Sequence, residues 1–219
     1  MSAAASGAGA VNGQGVEQTL VLVRHGSTEW SSAGRHTGRT DVPLDPVGER
    51  QAGALAGLLG PLLAAGPAGT GRPPVLVSPL VRAVRTAELA GLVPYRVDDD
   101  LAEWDYGAYE GLTTSQIREQ VPGWTVFSQP CPGGESAADV AARCDRVLGR
   151  VAAVDAPLTV LVAHSHLLRS LAARWLGRPV ADGAVLPLET ASVSVLGHEH
   201  GGRTLRRWNI ANPAEEPLP

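Results

Sequence analysis

Val21-Leu22-Val23-Arg24-His25-Gly26-Ser27-Thr28-Glu29-Trp30 decides how this chain is read. Three apolar residues run straight into Arg-His-Gly. A short apolar run bounded by polar residues and glycine reads as a buried strand. In an open α/β sheet, ligands lie in the crevice beyond the carboxyl ends of the strands. The run therefore puts His25 at the mouth of a pocket, flanked by a guanidinium and a glycine. A guanidinium matches phosphate bidentately, and glycine lets a ligand approach the backbone closely. A histidine held beside a bound phosphate is able to attack phosphorus. On the tripeptide alone, a strand-end histidine with a chance arginine neighbour remains the alternative.

The rest of the chain narrows the choice. It has 219 residues, 44% of them hydrophobic, enough for one domain with a real core. No run approaches the ~20 apolar residues of a membrane span. No basic residue precedes Arg24, and no apolar segment there has the pattern of a secretory signal. Cys131 and Cys144 are too few for a disulfide scaffold and lack metal-ligand spacing, so both are expected as reduced thiols in a cytoplasmic protein. The formal net charge of −4 argues against a general nucleic-acid binder. Lysine is absent, so any anion site must use Arg, His, backbone N–H groups or hydroxyls.

Residues 1–16 are rich in Ala, Gly and Ser and read as a disordered tail, 17–210 as one catalytic domain, and 211–219 as a loose proline-rich tail. Thr19 to Arg24 is the first strand, followed by a polar loop from Ser27 to Thr40. Asp45-Pro46 opens a helix whose apolar face carries Leu55, Leu58, Leu59 and Leu62. After a turn-rich linker from Gly66 to Pro74, Val75 to Ser78 is a second buried strand. It feeds a helix that carries Arg82 and Arg85 and stops at Gly91. Tyr95 to Val97 suggests a short strand, and Leu101 to Gly111 shows no period. Thr113 to Gln116 fits a capping box, and Ser136 caps a longer helix with Val140, Cys144, Val147, Leu148 and Val151 on its apolar face. Leu158 to Ala163 is a strand ending at His164, followed by a helix from about Leu167 to Leu176. Ala191 to Leu196 and Thr204 to Trp208 pair as a hairpin or as neighbouring strands. This alternation predicts a three-layer α/β/α sandwich around a mainly parallel mixed sheet.

In such a sheet the strands ending at His25, Ser78 and His164 share one edge, so Arg24, His25, Arg82 and His164 can converge. The chain resembles the histidine phosphatase superfamily, which includes cofactor-dependent phosphoglycerate mutases and small phosphatases. The resemblance rests on Arg24-His25-Gly26, Ser78-Pro79 with Arg82, Glu103 in Leu101-Ala102-Glu103-Trp104-Asp105-Tyr106-Gly107, and Ala163-His164, in that order from about Thr19 to Trp208. It implies a phosphoglycerate mutase-like fold and a role for each residue. His25 matches the nucleophile that forms a phosphohistidine. Arg24, Arg82 and His164 match the phosphate pocket, and Glu103 the proton donor that later activates water. Thr37 and Gly38 match a pair beside the substrate. Arg24, Arg82 and a protonated His164 would set three positive groups around the phosphoryl group and stabilise its transition state. The same cations keep His25 neutral and nucleophilic. Whether burial or the arginines govern the acidity of Glu103 stays open. The resemblance implies no metal and no cofactor.

Mutases carry a long basic insertion after the Tyr-Gly element. Here Tyr106-Gly107 leads soon to Pro132-Gly133-Gly134-Glu135-Ser136 with only Arg118 basic between them, which favours water as acceptor. Thr28 to Ser31, His36 to Asp41, Glu103 to Gly111 and Cys131 to Glu135 resemble the sedoheptulose-bisphosphatase and broad-specificity acid phosphatase subgroup. Ser31 stands where many members have Asn, and would keep a hydroxyl for the phosphate. Ser165 replaces a common Gly. It is strained if its φ is positive, and otherwise offers another phosphate donor. His166 is expected behind the site, and His198 and His200 in an exposed turn. Trp30 and Trp104 suit a pocket wall or the core equally. The expected activity is a metal-independent phosphomonoesterase acting on a small phosphorylated metabolite, a sugar phosphate or bisphosphate. The alternatives are a phosphoglycerate mutase and a non-catalytic phospholigand-binding module. No nucleic-acid or membrane partner is implied, and a homodimer is left open.

Overall fold

Strand β1 (Thr19–Arg24) forms because its central residues, Leu20 to Val23, have apolar partners on both sides. The computed structural model describes residues 17–64 and 71–211. After β1 come a single-turn helix α1 (Glu29–Ser32), α2 (Pro46–Ala64), β2 (Val75–Val77), α3 (Val81–Leu89) and β3 (Arg96–Val97). Then follow α4 (Thr114–Gln120), α5 (Ala137–Ala152), β4 (Leu158–Ala163), α6 (Ser165–Trp175), β5 (Val193–Glu199) and β6 (Gly202–Ile210). Local chemistry starts most helices. Asp45 Oδ1 accepts from Gly48 N–H at the head of α2. Thr113 with Gln116, and Ser136 with Asp139, form reciprocal capping boxes at α4 and α5.

The strands order as β3-β2-β4-β1-β5-β6. β1, β2, β3 and β4 pair parallel, whereas β5 is antiparallel to β1 and β6 to β5. Alternate residues of β1 serve opposite layers. Val21 and Val23 belong with Leu55 and Leu59 of α2 and Ala83 and Ala87 of α3. Leu20 and Leu22 belong with Val140, Cys144 and Val147 of α5 and Leu167 and Leu171 of α6. The result is the expected three-layer sandwich, in which each fully buried Leu or Val contributes about 1.5–3 kcal/mol.

The register fixes the site. Arg24 lies opposite Ala163, and Val77 opposite Val162. The ladder then runs one step further: His25 N–H donates to Ala163 O (3.0 Å) and Ser78 N–H to Val162 O (3.0 Å). His25, Ser78 and His164 therefore leave the sheet at one edge.

Some boundaries differ from the sequence expectation. α6 begins at Ser165 rather than Leu167, because His164 takes an extended cap conformation and a carboxylate from a distant segment receives the first N–H groups of the helix. β5 starts at Val193, since Ala191 adopts φ +49°. The last two strands form a hairpin longer than expected. Its turn, His200-Gly201, has positive φ at both residues, which matches the twist of the flanking strands. Leu101 to Gly111 shows no period because it holds only isolated 3-10 turns, at Asp99–Leu101 and Gly107–Tyr109. Another such turn spans Val180–Val185. The expected N-terminal tail, residues 65–70 of the expected linker and the C-terminal tail from residue 212 lie outside the described residues. Among the described residues no helix is long and apolar enough to cross a membrane. Cys131 and Cys144 are buried, free thiols.

Candidate active site

Past the end of β1, His25 is buried and turns its Nδ1 to Gly26 O at 2.7 Å. A carbonyl only accepts, so Nδ1 carries the proton and Nε2 keeps its lone pair. Burial first, then the charges of Arg82 and Arg24, hold the His25 pKa well below the usual imidazole range. Gly26 is required here by space. A Cβ on it would lie 2.4 Å from Gly48 O, where α2 crosses behind the strand end.

His164 faces His25 with ring centroids 5.1 Å apart. Its Nδ1 accepts from Arg82 Nε (3.1 Å), and its Nε2 meets Ser78 Oγ at 2.7 Å. Burial, Arg82 and His25 push its pKa well below normal. The sequence expectation of a protonated His164 is therefore corrected: a ring that accepts from an arginine at Nδ1 is neutral. Two guanidiniums, Arg24 and Arg82, supply the positive charge that acts on His25, and His164 orients one of them.

Arg82 is fully buried. Beyond His164, its fork donates to Thr40 O (3.1 Å), Thr37 O (3.0 Å) and Gly38 O (3.2 Å). Glu110 holds the same loop from its other side, accepting from Gly38 N–H and Thr40 N–H. Thr37 and Gly38 thus act on Arg82 through their carbonyls, while the Thr37 hydroxyl turns back to Arg35 O. Arg24 donates through Nη1 to Leu188 O, and its buried Nε has no partner.

Glu103 is buried, and its charge bears on both Arg24 and Arg82. Its Oε1 accepts from Trp104 N–H and Leu167 N–H (2.9 Å each) and its Oε2 from His166 N–H (3.0 Å). The carboxylate thus sits on the first turn of α6, where free N–H groups favour an anion. Burial nevertheless outweighs those bonds and Arg82, and raises the Glu103 pKa. The question the sequence left open resolves in favour of burial.

Ser31 departs from its expected role, whereas Ser165 takes the unstrained one of its two alternatives. The Ser31 hydroxyl donates to Thr28 O (3.0 Å) and accepts from Thr28 N–H (2.9 Å) in the capping box of α1, so its proton is not offered to a phosphate. Ser165 is the first residue of α6. Positive φ at non-glycine residues occurs only at Ala191, His200 and Asn209 among the described residues, so Ser165 carries no such strain. His166 is held behind the site, with Nδ1 2.6 Å from Tyr106 Oη and its ring against His36 and Phe127. Burial lowers the His36 pKa to about 4. Trp104 belongs to the core, its Nε1 donating to Glu135 O. His198 closes on Trp175 and Gln18 O rather than forming an open turn with His200. Among the described residues no cluster of His, Cys, Asp or Glu is arranged to hold a metal ion.

Sequence reasoning missed Glu110, Arg143, Glu135 and Arg169. Arg143 follows Val140 at helical spacing and borders the buried face of α5, a signal that was readable. Arg169 rests over the Phe127 ring, 4.7 Å from its centroid, and donates to Gly183 O and Ala184 O. Nothing local marks its charge as reaching Arg24 and Glu103.

A family model described as the histidine phosphatase superfamily (branch 1) matches residues 20–211. The chain belongs to the histidine phosphatase superfamily. It is therefore an enzyme of that superfamily, and its similarity to characterised members is broad. It is 45% identical over 187 residues to an acid phosphatase of Mycobacterium tuberculosis, covering 85% of this chain and 89% of that protein. It is 31% identical over 191 residues to sedoheptulose 1,7-bisphosphatase of Saccharomyces cerevisiae, covering 72% and 67%. A solved structure of a mycobacterial glucosyl-3-phosphoglycerate phosphatase in complex with VO3 superposes with a TM-score of 0.75 at 33% identity, over 89% of this chain and all (100%) of that one. This histidine phosphatase thus resembles phosphatases that act on phosphorylated metabolites.

Proposed function

We propose that this histidine phosphatase hydrolyses a small phosphate monoester, a sugar phosphate or bisphosphate, through a phosphohistidine and without a metal. The observation that carries the reading is the His25 tautomer: Nδ1–H bonded to Gly26 O leaves a neutral Nε2 beside two guanidiniums. Nε2 attacks phosphorus, the N–P bond forms, and the P–O bond to the alcohol breaks. Glu103 delivers its proton to the departing oxygen. A water then attacks phosphorus, the N–P bond breaks, and Glu103 takes the water's proton back. Arg24 and Arg82 neutralise the phosphoryl oxygens in both steps. The unpartnered Arg24 Nε and the raised pKa of Glu103 support these roles. A binding module has no need of a buried proton donor.

The substrate class draws support from the relatives' names and from Arg169. This further guanidinium is close enough for its charge to bear on Arg24 and Glu103, and suits a substrate with a second anionic group. Two buried, unpaired thiols accord with a cytoplasmic setting. Among the described residues β6, nine residues long, ends the sheet and offers an edge where a second copy would pair; sedimentation equilibrium would detect such a homodimer.

The decisive assay is p-nitrophenyl phosphate turnover in EDTA, beside release of inorganic phosphate from sugar phosphates, bisphosphates and 3-phosphoglycerate. His25→Ala is expected to lose about 10⁴–10⁶-fold in kcat. Equal activity in parent and variant would remove the covalent role. Isomerisation of 3-phosphoglycerate without net phosphate release would turn the reading into a mutase.

A further inference from the structure

Glu103 stands on a segment with no regular secondary structure, yet its carboxylate is held by three N–H groups. Something must fix the backbone on which it stands. That backbone is gripped from α5. Arg143 Nη1 donates to Asp100 O and Ala102 O (2.8 Å each), and Nη2 reaches Glu103 O at 3.4 Å. The same guanidinium makes a two-pronged pair with Glu135, Nε to Oε1 at 2.6 Å and Nη2 to Oε2 at 2.7 Å. Glu135 Oε2 in turn accepts from Asp105 N–H (3.0 Å), while Glu135 N–H donates to Asp105 O (2.9 Å). Backbone groups on both sides of Glu103 are thus tied to one ion pair, only 12% and 17% exposed in its side chains. Among the described residues no hydrogen bond or ion pair joins this pair to the Glu103 carboxylate or to His25, although the Arg143 charge reaches His164.

We propose that Arg143, locked by Glu135, is a positioning residue for proton donation by Glu103. The inference rests on the catalytic reading above. A planar fork is needed, because one cation must satisfy carbonyls on one side and a carboxylate on the other. A catalytic acid displaced by about 1 Å loses most of its effect.

Leaving-group acidity separates this role from mere support of the fold. An alcohol that leaves readily as an anion hardly needs the acid, whereas a basic one depends on it. The test measures kcat/KM for 2,4-dinitrophenyl, p-nitrophenyl and phenyl phosphate with the parent, Arg143→Met, Arg143→Lys and Glu135→Gln, folding being checked by circular dichroism. Arg143→Met is expected to lose about 10²-fold on phenyl phosphate, the lower end for general acid catalysis, and less than about 3-fold on 2,4-dinitrophenyl phosphate. Arg143→Lys and Glu135→Gln should fall between, with the same steepening. If Arg143→Met fails to fold, the lysine variant alone decides. Equal losses across the series, or none, would overturn the positioning role while leaving the phosphatase reading intact. A parent inactive on every ester would instead overturn the phosphatase reading and this role together.

Discussion

The two halves of the site are built differently. The cationic half is placed by regular structure. His25, Ser78 and His164 leave adjacent strands at one level because the β1, β2 and β4 registers end flush, and Arg82 follows on the first turn of α3. The acidic half is placed by side chains. Glu103 stands on an irregular segment whose carbonyls are caught by Arg143 and whose next N–H groups are caught by Glu135 and by Glu103 itself. Backbone ladders hold many residues at once and tolerate the loss of one side chain. A segment held by a few side chains, with one guanidinium on three of its carbonyls, has less reserve. Damage to the cationic half should therefore weaken the reaction as a whole, while damage to the acidic half should depend on what leaves.

Arg82→Ala tests the first half of that contrast and, the nucleophile apart, carries the largest expected effect. It removes positive charge next to the transferring group, so kcat/KM should fall by about 10²–10³-fold. The fall should be similar for phenyl and 2,4-dinitrophenyl phosphate, because the lost interaction is with the phosphoryl group and not with the leaving oxygen. The variant also strands His164 Nδ1 and the carbonyls of Thr37, Gly38 and Thr40. A drop in Tm should accompany the loss of rate. A leaving-group dependence as steep as that expected for Arg143→Met would erase the distinction between the two halves.

The same contrast explains what was readable beforehand. Strand ends, capping boxes and the order of motifs are local signals, and they brought Arg24, His25, Arg82 and His164 to one edge of the sheet. The protonation of His164 was misread because it depends on which nitrogen faces Arg82, and spacing says nothing about that. α6 starts early because Glu103 caps it from far along the chain, and a search for a local cap passes over such a donor-acceptor match. Arg143's place beside the buried face of α5 was readable, but what it and Glu135 hold was not, for a related reason. Their partners are mostly backbone groups, which have no identity in a sequence.

An intermediate effect concerns pH. His25, His164 and His166 have pKa values held well below the ordinary imidazole range, and His36 is lowered to about 4, with burial the first cause in each. In the unfolded chain these rings take up protons as pH falls through about 6.5, whereas the folded protein refuses them. The unfolded state binds more protons there, so stability falls as pH drops. Each ring contributes a slope of about 1.4 kcal/mol per pH unit between its two pKa values. Glu103 acts in the opposite sense. Its raised pKa stabilises the fold below the ordinary carboxyl value and loses that contribution as pH rises through the folded one. Four rings against one carboxyl make the net direction clear: Tm by calorimetry should decline from pH 7 toward pH 5. A flat profile would mean that the imidazoles become charged inside the fold. The neutral nucleophile would then lose its basis.

The smallest effect is at Ser31, and it separates two readings of the same hydroxyl. As a phosphate ligand, its removal would raise KM and leave the stability of α1 unaltered. In the structure the hydroxyl closes a reciprocal box with Thr28, whose own side chain receives Ser31 N–H at 3.1 Å. Ser31→Ala removes the two bonds its hydroxyl makes with the Thr28 backbone and leaves the Thr28 side-chain cap in place. Its cost should lie at the low end of capping losses, about 0.5 kcal/mol. That is a shift in Tm of roughly 1 °C, at the small end for a domain of this size, with KM for p-nitrophenyl phosphate unchanged. A severalfold rise in KM with no change in Tm would return Ser31 to the substrate. It would also mean that the box opens when phosphate arrives, so that part of the pocket wall is set by the ligand and not by the sheet.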